Sequence, residues 1–220
     1  MSRLMAKLKS PKRTYDASRR QAQANETRHH ILEAARKLFI ERGYAGATAE
    51  AIAAEADVSA QTIYAIFKNK KKILVSLMNV ASPTGEEDHL PVHERSGAQA
   101  VAREPDQRRQ LRMFADIVAY NLYQVAAVFE IMVDAAKIEP DFARTVEKLQ
   151  KQRLEHMTLA IQQIAVKGPF RENMDEARAR DTVWTLTSGE VFLTLTRERG
   201  WSKEQYADWL ADMLIRALLP

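Results

Sequence analysis

Apolar residues recur every three or four positions along most of the chain, the spacing that gathers them on one face of an α-helix. The first such stripe lies between Ile31 and Phe39. It predicts a helix that begins near Asn25, a residue suited to capping, and that ends at Gly43, which tolerates a left-handed backbone. Apolar and polar residues do not alternate anywhere as they do in a β-strand. The pattern therefore predicts an all-α fold.

Two short helices follow, and each is preceded by a residue that can cap it. Thr48 precedes a helix that runs to about Glu55, and Ser59 precedes the next. Hydroxyl side chains at such positions accept hydrogen bonds from free N–H groups of the first helical turn. Only residues 56–58 lie between the two helices, a link as short as the turn of a helix-turn-helix. Asp57 in this turn can adopt a positive φ.

The rest of the chain is also helical in pattern. A fourth helix is predicted to run from about Asn69 to about Val80, and the Pro- and Gly-containing segment 81–104 predicts a loop or a broken helix. Breaks are expected at Pro140, at Gly168-Pro169 and at Gly200. The remaining apolar stripes predict helices at about 105–122, 124–137, 140–166, 175–198 and 203–218.

Charge is unevenly placed along the chain. Residues 1–80 carry 15 Lys and Arg against 7 Asp and Glu, whereas the whole chain carries 33 against 29. A basic front on an acidic remainder indicates contact with a polyanion such as nucleic acid, with a solvated basic face as the alternative. Residues 1–24 combine basic side chains with no apolar face, so they predict a disordered basic arm, whose contact with DNA stays open.

Composition bounds the cellular setting. The chain has no cysteine, which excludes disulfides and suits a reducing cytoplasm. The longest charge-free stretches, residues 73–85 and 117–129, fall short of the roughly 20 residues that a membrane span needs. No apolar segment follows the basic N-terminus as in a secretory signal. A cytoplasmic protein without a membrane partner is expected.

The second short helix has the surface that a helix-turn-helix needs. In that motif the second helix lays its N-terminal residues into the major groove of DNA. Ala53 and Ala56 are small enough for the two helices to pack closely. The exposed positions carry polar or small side chains that reach base edges, and lysines that neutralise phosphates follow. These residues are Ser59, Ala60, Gln61, Thr62, Tyr64, Lys68, Lys70, Lys71 and Lys72.

The segment 27–74 resembles the DNA-binding domain of the tetracycline-repressor (TetR) family of transcriptional regulators. It departs from the family pattern at Asp57, where the family usually has Gly, and at Ile66, where the family often has His that contacts phosphate. The matching positions are Ile31, Ala34, Ala35, Leu38, Phe39, Gly43, Tyr44, Thr48, Ile52, Ala53, Val58, Ser59, Thr62, Ile63, Tyr64, Phe67, Lys70 and Leu74.

The resemblance implies a role for each exposed residue around the second short helix. Gln61 would contact a base edge through its amide, and Ala60 a thymine methyl. The other side chains would contact phosphate or sugar, with helix capping as a further role of Thr48 and Ser59. The predicted DNA-binding residues are Thr48, Ser59, Ala60, Gln61, Thr62, Tyr64, Lys68 and Lys70.

The resemblance further implies that residues 73–220 form a helical bundle that binds a small-molecule effector and dimerises. Segment 111–132 is rich in large apolar residues, which suit either bundle packing or a ligand pocket. The pocket candidates are Phe114, Ile117, Tyr120, Asn121, Gln124, Phe129, His156 and Trp184. The candidates for the dimer interface are Ser188, Val191, Phe192, Leu195, Trp209, Met213 and Ala217.

Together these features predict a basic arm over 1–24, a three-helix helix-turn-helix domain over 25–72 and an effector-binding and dimerisation bundle over 73–220. Such a homodimer would repress transcription by binding a palindromic double-stranded DNA operator and would be released by its effector, although activation stays open. The alternative is a helical protein-interaction module that does not bind specific DNA.

Enzymatic and metal-dependent functions are not indicated. The chain has no nucleophile elbow, zinc-binding helix motif or phosphate-binding loop, so no catalytic residue and no cofactor are predicted. His89 and His93 have a spacing that one helical face would bring together. Pro91 lies between them and interrupts a regular helix, so no metal site is predicted.

Overall fold

The computed structural model of the protein describes residues 12–78 and 90–220, and every regular element in these ranges is helical. The all-α prediction is confirmed. A 3₁₀ turn, Val92–Glu94, precedes the fifth helix, and a π-helical turn, Thr194–Glu198, follows the ninth. The helices are α1 Lys12–Gly46, α2 Ala49–Glu55, α3 Ala60–Phe67, α4 Lys70–Leu77, α5 Ser96–Arg103, α6 Gln107–Ala136, α7 Pro140–Ala165, α8 Glu176–Leu186, α9 Gly189–Leu193 and α10 Lys203–Leu218.

Helix α1 differs from the expectation at both ends. It begins at Lys12, so residues 12–24 are helical where a disordered arm was predicted. Ala, Gln and Arg in this segment have high helix propensity and can extend an existing helix without an apolar face. Residues 1–11 of the predicted arm lie outside the described residues. Near the other end, Gly43 has φ 67° and ψ 179°, a conformation essentially confined to glycine, and it kinks the helix before its last residues.

A first hydrophobic core joins α1, α2, α3 and α4. The predicted stripe of α1 is buried in it, as are Ile52 of α2 and Ile63 of α3. The core continues into α4 through Ile73, Leu74 and Leu77. The predicted domain boundary after residue 72 therefore falls inside α4, whose apolar side belongs to the DNA-binding part.

Helix α6 is the central element of the remaining chain and takes part in two cores. Residues from Leu111 to Ala126 pack in a second core with α7, α8 and α10, whereas Val128, Met132 and Ala135 pack in the first core. Two helices with a break at Tyr123 were predicted here, and this prediction is wrong. By length and composition alone, α6 is also the one helix in the described ranges that qualifies as a membrane span. Core helices of soluble proteins meet the same criterion.

The helix predicted over 175–198 is interrupted at Thr187 and Ser188. Ser188 caps α9 by accepting a hydrogen bond from the Val191 N–H at 3.2 Å, and the Thr187 hydroxyl donates back to the Val183 carbonyl at 2.7 Å. Arg153 of α7 then donates to the Trp184 carbonyl at 2.6 Å, which satisfies one of the acceptors at the end of α8. Side-chain hydrogen bonds of Ser188 and Arg153 thus replace helical ones at the break, whereas the Thr187 hydroxyl adds to the helical bond between the Thr187 N–H and the Val183 carbonyl.

Side-chain contacts connect α1 and α4 to α6 and α7, in addition to the shared first core. The Phe142 ring of α7 packs edge-on against Tyr44, with ring centroids 4.8 Å apart. Lys71 of α4 forms an ion pair with Asp141 of α7 at 2.7 Å. Arg36 of α1 donates to the Tyr123 carbonyl of α6 at 2.8 Å. The DNA-binding part of the chain therefore packs directly against α6 and the start of α7.

Candidate nucleic-acid interface

Helix α3 presents one polar face and buries the other. Ile63 and Phe67 are buried in the first core, and Gln61 and Tyr64 are exposed. Ser59 caps the helix, as predicted, by accepting a hydrogen bond from the Thr62 N–H at 3.1 Å. The Ser59 and Thr62 hydroxyls also form a hydrogen bond of 2.8 Å with each other, which fixes their direction at the front of the helix.

The turn before α3 has the geometry that was predicted for it. Asp57 has φ 51°, in the region that few residues other than Gly, Asn and Asp adopt. The Val58 N–H bonds back to the Ala53 carbonyl at 3.0 Å and closes the turn. At the start of α2, Thr48 accepts from the Ala51 N–H at 3.1 Å, so its predicted capping role is confirmed. Together α2, the turn and α3 form a helix-turn-helix.

Glu50 is a residue at this surface that the sequence reasoning missed. The Tyr64 hydroxyl donates to its carboxylate at 3.3 Å, across the groove between α2 and α3. A hydrogen bond from its own backbone N–H lowers the pKa of Glu50, and the Thr48 and Tyr64 hydroxyls lower it further. A negative charge therefore stands beside two predicted phosphate contacts. Only its position in the first turn of α2 signals it in the sequence.

The lysines after α3 fall into two groups. Lys70 is partly buried, and its ammonium donates to the Tyr44 carbonyl at 2.7 Å while lying 4.2 Å from the centroid of the Tyr44 ring. Burial lowers the pKa of Lys70 and raises that of Tyr44 to about 12. Lys71 is bound to Asp141. Lys68 and Lys72 are exposed, so their ammonium groups are more accessible to a DNA phosphate than those of Lys70 and Lys71. The phosphate contact predicted for Lys70 stays a prediction.

The predicted effector-pocket residues lie on three helices, α6, α7 and α8, and their role stays a prediction. Those on α6 lie along its length, with Phe114 buried in the second core and the others more accessible. Trp184 on α8 stacks under the Arg153 guanidinium at 3.9 Å. Burial lowers the pKa of His156 on α7, and the nearby charge of Arg95 lowers it further. Phe129 is the member of the set that lines a described cleft, between α6 and α9.

Two polar atoms in the described bundle are buried without a hydrogen-bond partner. One is the hydroxyl of Tyr120, a predicted pocket residue, and the other is the amide oxygen of Gln110. Gln110 is completely buried, with its amide nitrogen donating to the Val101 carbonyl at 3.1 Å. The sequence reasoning missed it, although Gln110 shares a helical face with Phe114. Unsatisfied buried atoms of this kind each cost about 1–3 kcal/mol.

The predicted dimer-interface residues have different environments. Phe192 is buried within its own chain, edge-on to Tyr206 at 4.9 Å, so it is a core residue and not a free contact surface. Ser188 is the cap of α9. Val191 and Leu195 are half-buried against the second core. On α10, Met213 is 36% exposed, and Trp209 and Ala217 lie on the same face at intervals of four residues.

Of the two histidines considered as metal ligands, only His93 lies in the described part of the chain. His93 is exposed in the 3₁₀ turn, with its Nε2 atom 3.6 Å from the Glu94 carboxylate. His89 lies outside the described residues. Within residues 12–78 and 90–220, no group of three or more His, Asp or Glu is placed to hold a metal ion.

The fold and the surface of α3 define a class of protein: an all-α helix-turn-helix regulator whose DNA-binding part is packed on a larger helical bundle. Residues 31–77 match the family profile of the bacterial regulatory proteins of the tetR family. Residues 31–77 are therefore a DNA-binding domain of the tetR type, and the chain that carries them is a DNA-binding transcriptional regulator.

Individual relatives agree with this assignment. The chain is 26% identical over 176 residues to the HTH-type transcriptional regulator TtgR of Pseudomonas putida, covering 79% of this chain and 82% of that protein. Its fold is similar to that of NalD, the secondary repressor of the MexAB-OprM multidrug efflux pump in Pseudomonas aeruginosa. The TM-score is 0.62 and the identity 19%, over 90% of this chain and 98% of NalD. It is also similar to FadR from Bacillus subtilis in complex with stearoyl-CoA, with a TM-score of 0.65 and 19% identity, over 86% and 98% of the two chains.

Proposed function

We propose that the protein is a cytoplasmic repressor that binds a palindromic DNA operator as a homodimer and is released by a small-molecule effector. The observation that carries the proposal is the exposed, capped front of α3, where Ser59, Gln61 and Thr62 stand together. In a two-fold dimer, two such helices meet successive major grooves about one helical turn apart. The similarity to NalD, which is a repressor, favours repression over activation.

Helix α6 connects effector binding to the position of α3 in this proposal. One half of α6 packs in the second core and the other half in the first core. A ligand that displaces α6 would therefore also displace the helices that share the first core with it. The contacts of Arg36 with Tyr123 and of Phe142 with Tyr44 transmit that displacement to α1 and its neighbours. The effector would therefore change the separation of the two recognition helices, with α4 moving as part of the same unit.

The test is a gel-shift titration of the full chain with DNA from the regions that flank its own gene. A shifted band that resists competition by unrelated DNA is expected, and footprinting should show two half-sites related by a two-fold axis. Equal affinity for flanking and unrelated DNA would favour the helical protein-interaction module and contradict the proposal.

Replacing Gln61 with alanine should relax specificity at one base pair in each half-site. The exposed amide at the front of α3 can form two hydrogen bonds with an adenine edge, and losing them costs about 1–3 kcal/mol of discrimination. The measurement compares the affinity for the operator with that for operators changed at single positions. Gln162→Ala, an exposed glutamine on α7, is the matched control. An unchanged ratio at every position would show that Gln61 does not read a base.

Replacing Glu50 with glutamine should tighten binding to operator and unrelated DNA alike. Glutamine can still accept the hydrogen bond from the Tyr64 hydroxyl, so the substitution removes the charge of residue 50 and keeps this hydrogen bond. Relief of one repulsion near a phosphate should tighten binding by a few-fold per half-site at low salt and by less as salt is raised. Titrations at several salt concentrations measure it, with Glu176→Gln on α8 as the control. Weaker binding by Glu50→Gln would mean that the charge orients Tyr64 and does not oppose DNA.

A further inference from the structure

An open cleft of about 290 Å³ lies between α6 and the segment formed by α9 and the π-helical turn. Its floor is apolar and is formed by Phe129 and Val133 of α6 together with Leu193 of α9. The cleft is close in size to the smallest pockets that hold small organic ligands in proteins. It is therefore large enough for a compact organic molecule with an apolar body.

The rim of this cleft is strongly acidic. Glu130, Asp134, Glu190 and Glu198 line it, against a single cation, Arg197. Arg197 is already paired with Glu130 at 2.8 Å, and Asp134 is paired at 2.7 Å with a lysine outside the lining. Neither Glu190 nor Glu198 forms an ion pair in the described ranges, although the charge of Arg153 on α7 acts on Glu190. The apolar floor is thus surrounded by carboxylates, two of which have no ion-pair partner in the described chain.

The wall that carries Glu198 is irregular helix. Residues Thr194–Glu198 form a π-helical turn, closed by a hydrogen bond from the Arg199 N–H to the Thr194 carbonyl at 3.1 Å. Such turns are rare and occur frequently at functional sites. The Trp201 N–H bonds back to the Leu195 carbonyl at 3.0 Å and closes the C-terminal end of the turn. The backbone of this π-helical turn therefore determines where Glu198 lies on the wall of the cleft.

We propose that this cleft binds a compact organic cation with an apolar body and that this molecule is the effector. The proposal rests on the proposed function, since it names the chemical class of the regulator's ligand. An apolar body covers Phe129 and Leu193, and its cationic head lies against the acidic rim to which Glu190 and Glu198 belong. A metal ion fits less well, because no three carboxylates of the described residues are placed to share one. A second copy of the chain would bring the same negative rim against this one.

Three probes with one hydrocarbon body test the charge preference: 4-phenylbutylamine, 4-phenylbutanol and 4-phenylbutanoate. Calorimetric titration of the full chain without DNA should show that the protonated amine binds at least about tenfold more tightly than the alcohol. The carboxylate should bind more weakly than both. The preference for the amine should shrink as salt is raised, because exposed charges are screened. Equal affinities for the amine and the alcohol would overturn the proposal.

Variants assign the binding to this cleft. The double variant Glu190→Gln/Glu198→Gln should lose about tenfold in affinity for the amine and little for the alcohol, whereas Glu147→Gln on α7 should change neither. Val133→Trp, which fills the floor, should abolish binding of both probes. An unchanged affinity for the amine in the double variant and in Val133→Trp would place the cation elsewhere and overturn the proposal.

The same proteins distinguish this inference from the proposed function. Operator binding without ligand is measured for each variant, and none of the substituted side chains lies in α1–α4. Operator binding without any cation binding overturns the inference alone. Cation binding with the predicted charge preference, in a chain that does not bind its flanking DNA, supports the cleft and contradicts the repressor.

Discussion

Replacing Phe142 with alanine should lower the free energy of unfolding by about 3–5 kcal/mol, measured by denaturant titration. The ring is completely buried in the first core, where it is one of the few contributions from α7. Its removal leaves a cavity beside Tyr44 and also removes an aromatic pair. Because this ring joins the helix-turn-helix to the bundle, the variant should also show a smaller change in operator affinity when effector is added.

Ile138 provides the matched control for this substitution. It lies four residues before Phe142 but is 84% exposed, so Ile138→Ala removes apolar atoms without opening a cavity. Its free energy of unfolding should change by no more than about 0.5 kcal/mol. A loss below about 1 kcal/mol for Phe142→Ala would mean that the first core does not depend on α7.

Local features of the site were predictable because one or two neighbouring residues determine them. The caps at Thr48 and Ser59 and the positive φ of Asp57 follow from hydrogen bonds and backbone preferences within four residues. The core face of α3 follows in the same way from the spacing of Ile63 and Phe67. For this reason the helix-turn-helix could be placed from the sequence alone.

Other features depend on contacts between distant residues, for which the sequence contains no local signal. The Glu50–Tyr64 hydrogen bond and the burial of Lys70 on Tyr44 join residues 14 and 26 positions apart. The false break at Tyr123 has a related cause. The first part of α6 packs in the second core, and its last part packs in the first core. The buried residues therefore lie on different sides of the helix in these two parts, although the helix continues. The effector-pocket residues stay a prediction, since residues that pack a helical bundle and residues that line a ligand pocket have the same composition.

Replacing Met213 with glutamate should convert the proposed dimer into a monomer that remains folded. Met213 is 36% exposed on the outer face of α10, so a charge there does not enter the core of its own chain. Across a two-fold interface the same charge would meet its symmetry mate, and burying two like charges is strongly unfavourable. Sedimentation measures the change in mass, and circular dichroism should show unchanged helix content. Trp209 is less suitable for this test, because it packs against Tyr206 at 5.8 Å.

The loss of the dimer should weaken operator binding by about 100-fold or more, because each recognition helix would then bind its half-site alone. Met213→Leu keeps the apolar surface and should preserve both the dimer and the affinity. Raising the concentration of Met213→Glu should restore part of the DNA binding, since mass action opposes dissociation. A Met213→Glu protein that sediments as a dimer would move the interface away from the outer face of α10. A monomer with full operator affinity would instead show that one helix-turn-helix is sufficient, and that the half-sites are read independently.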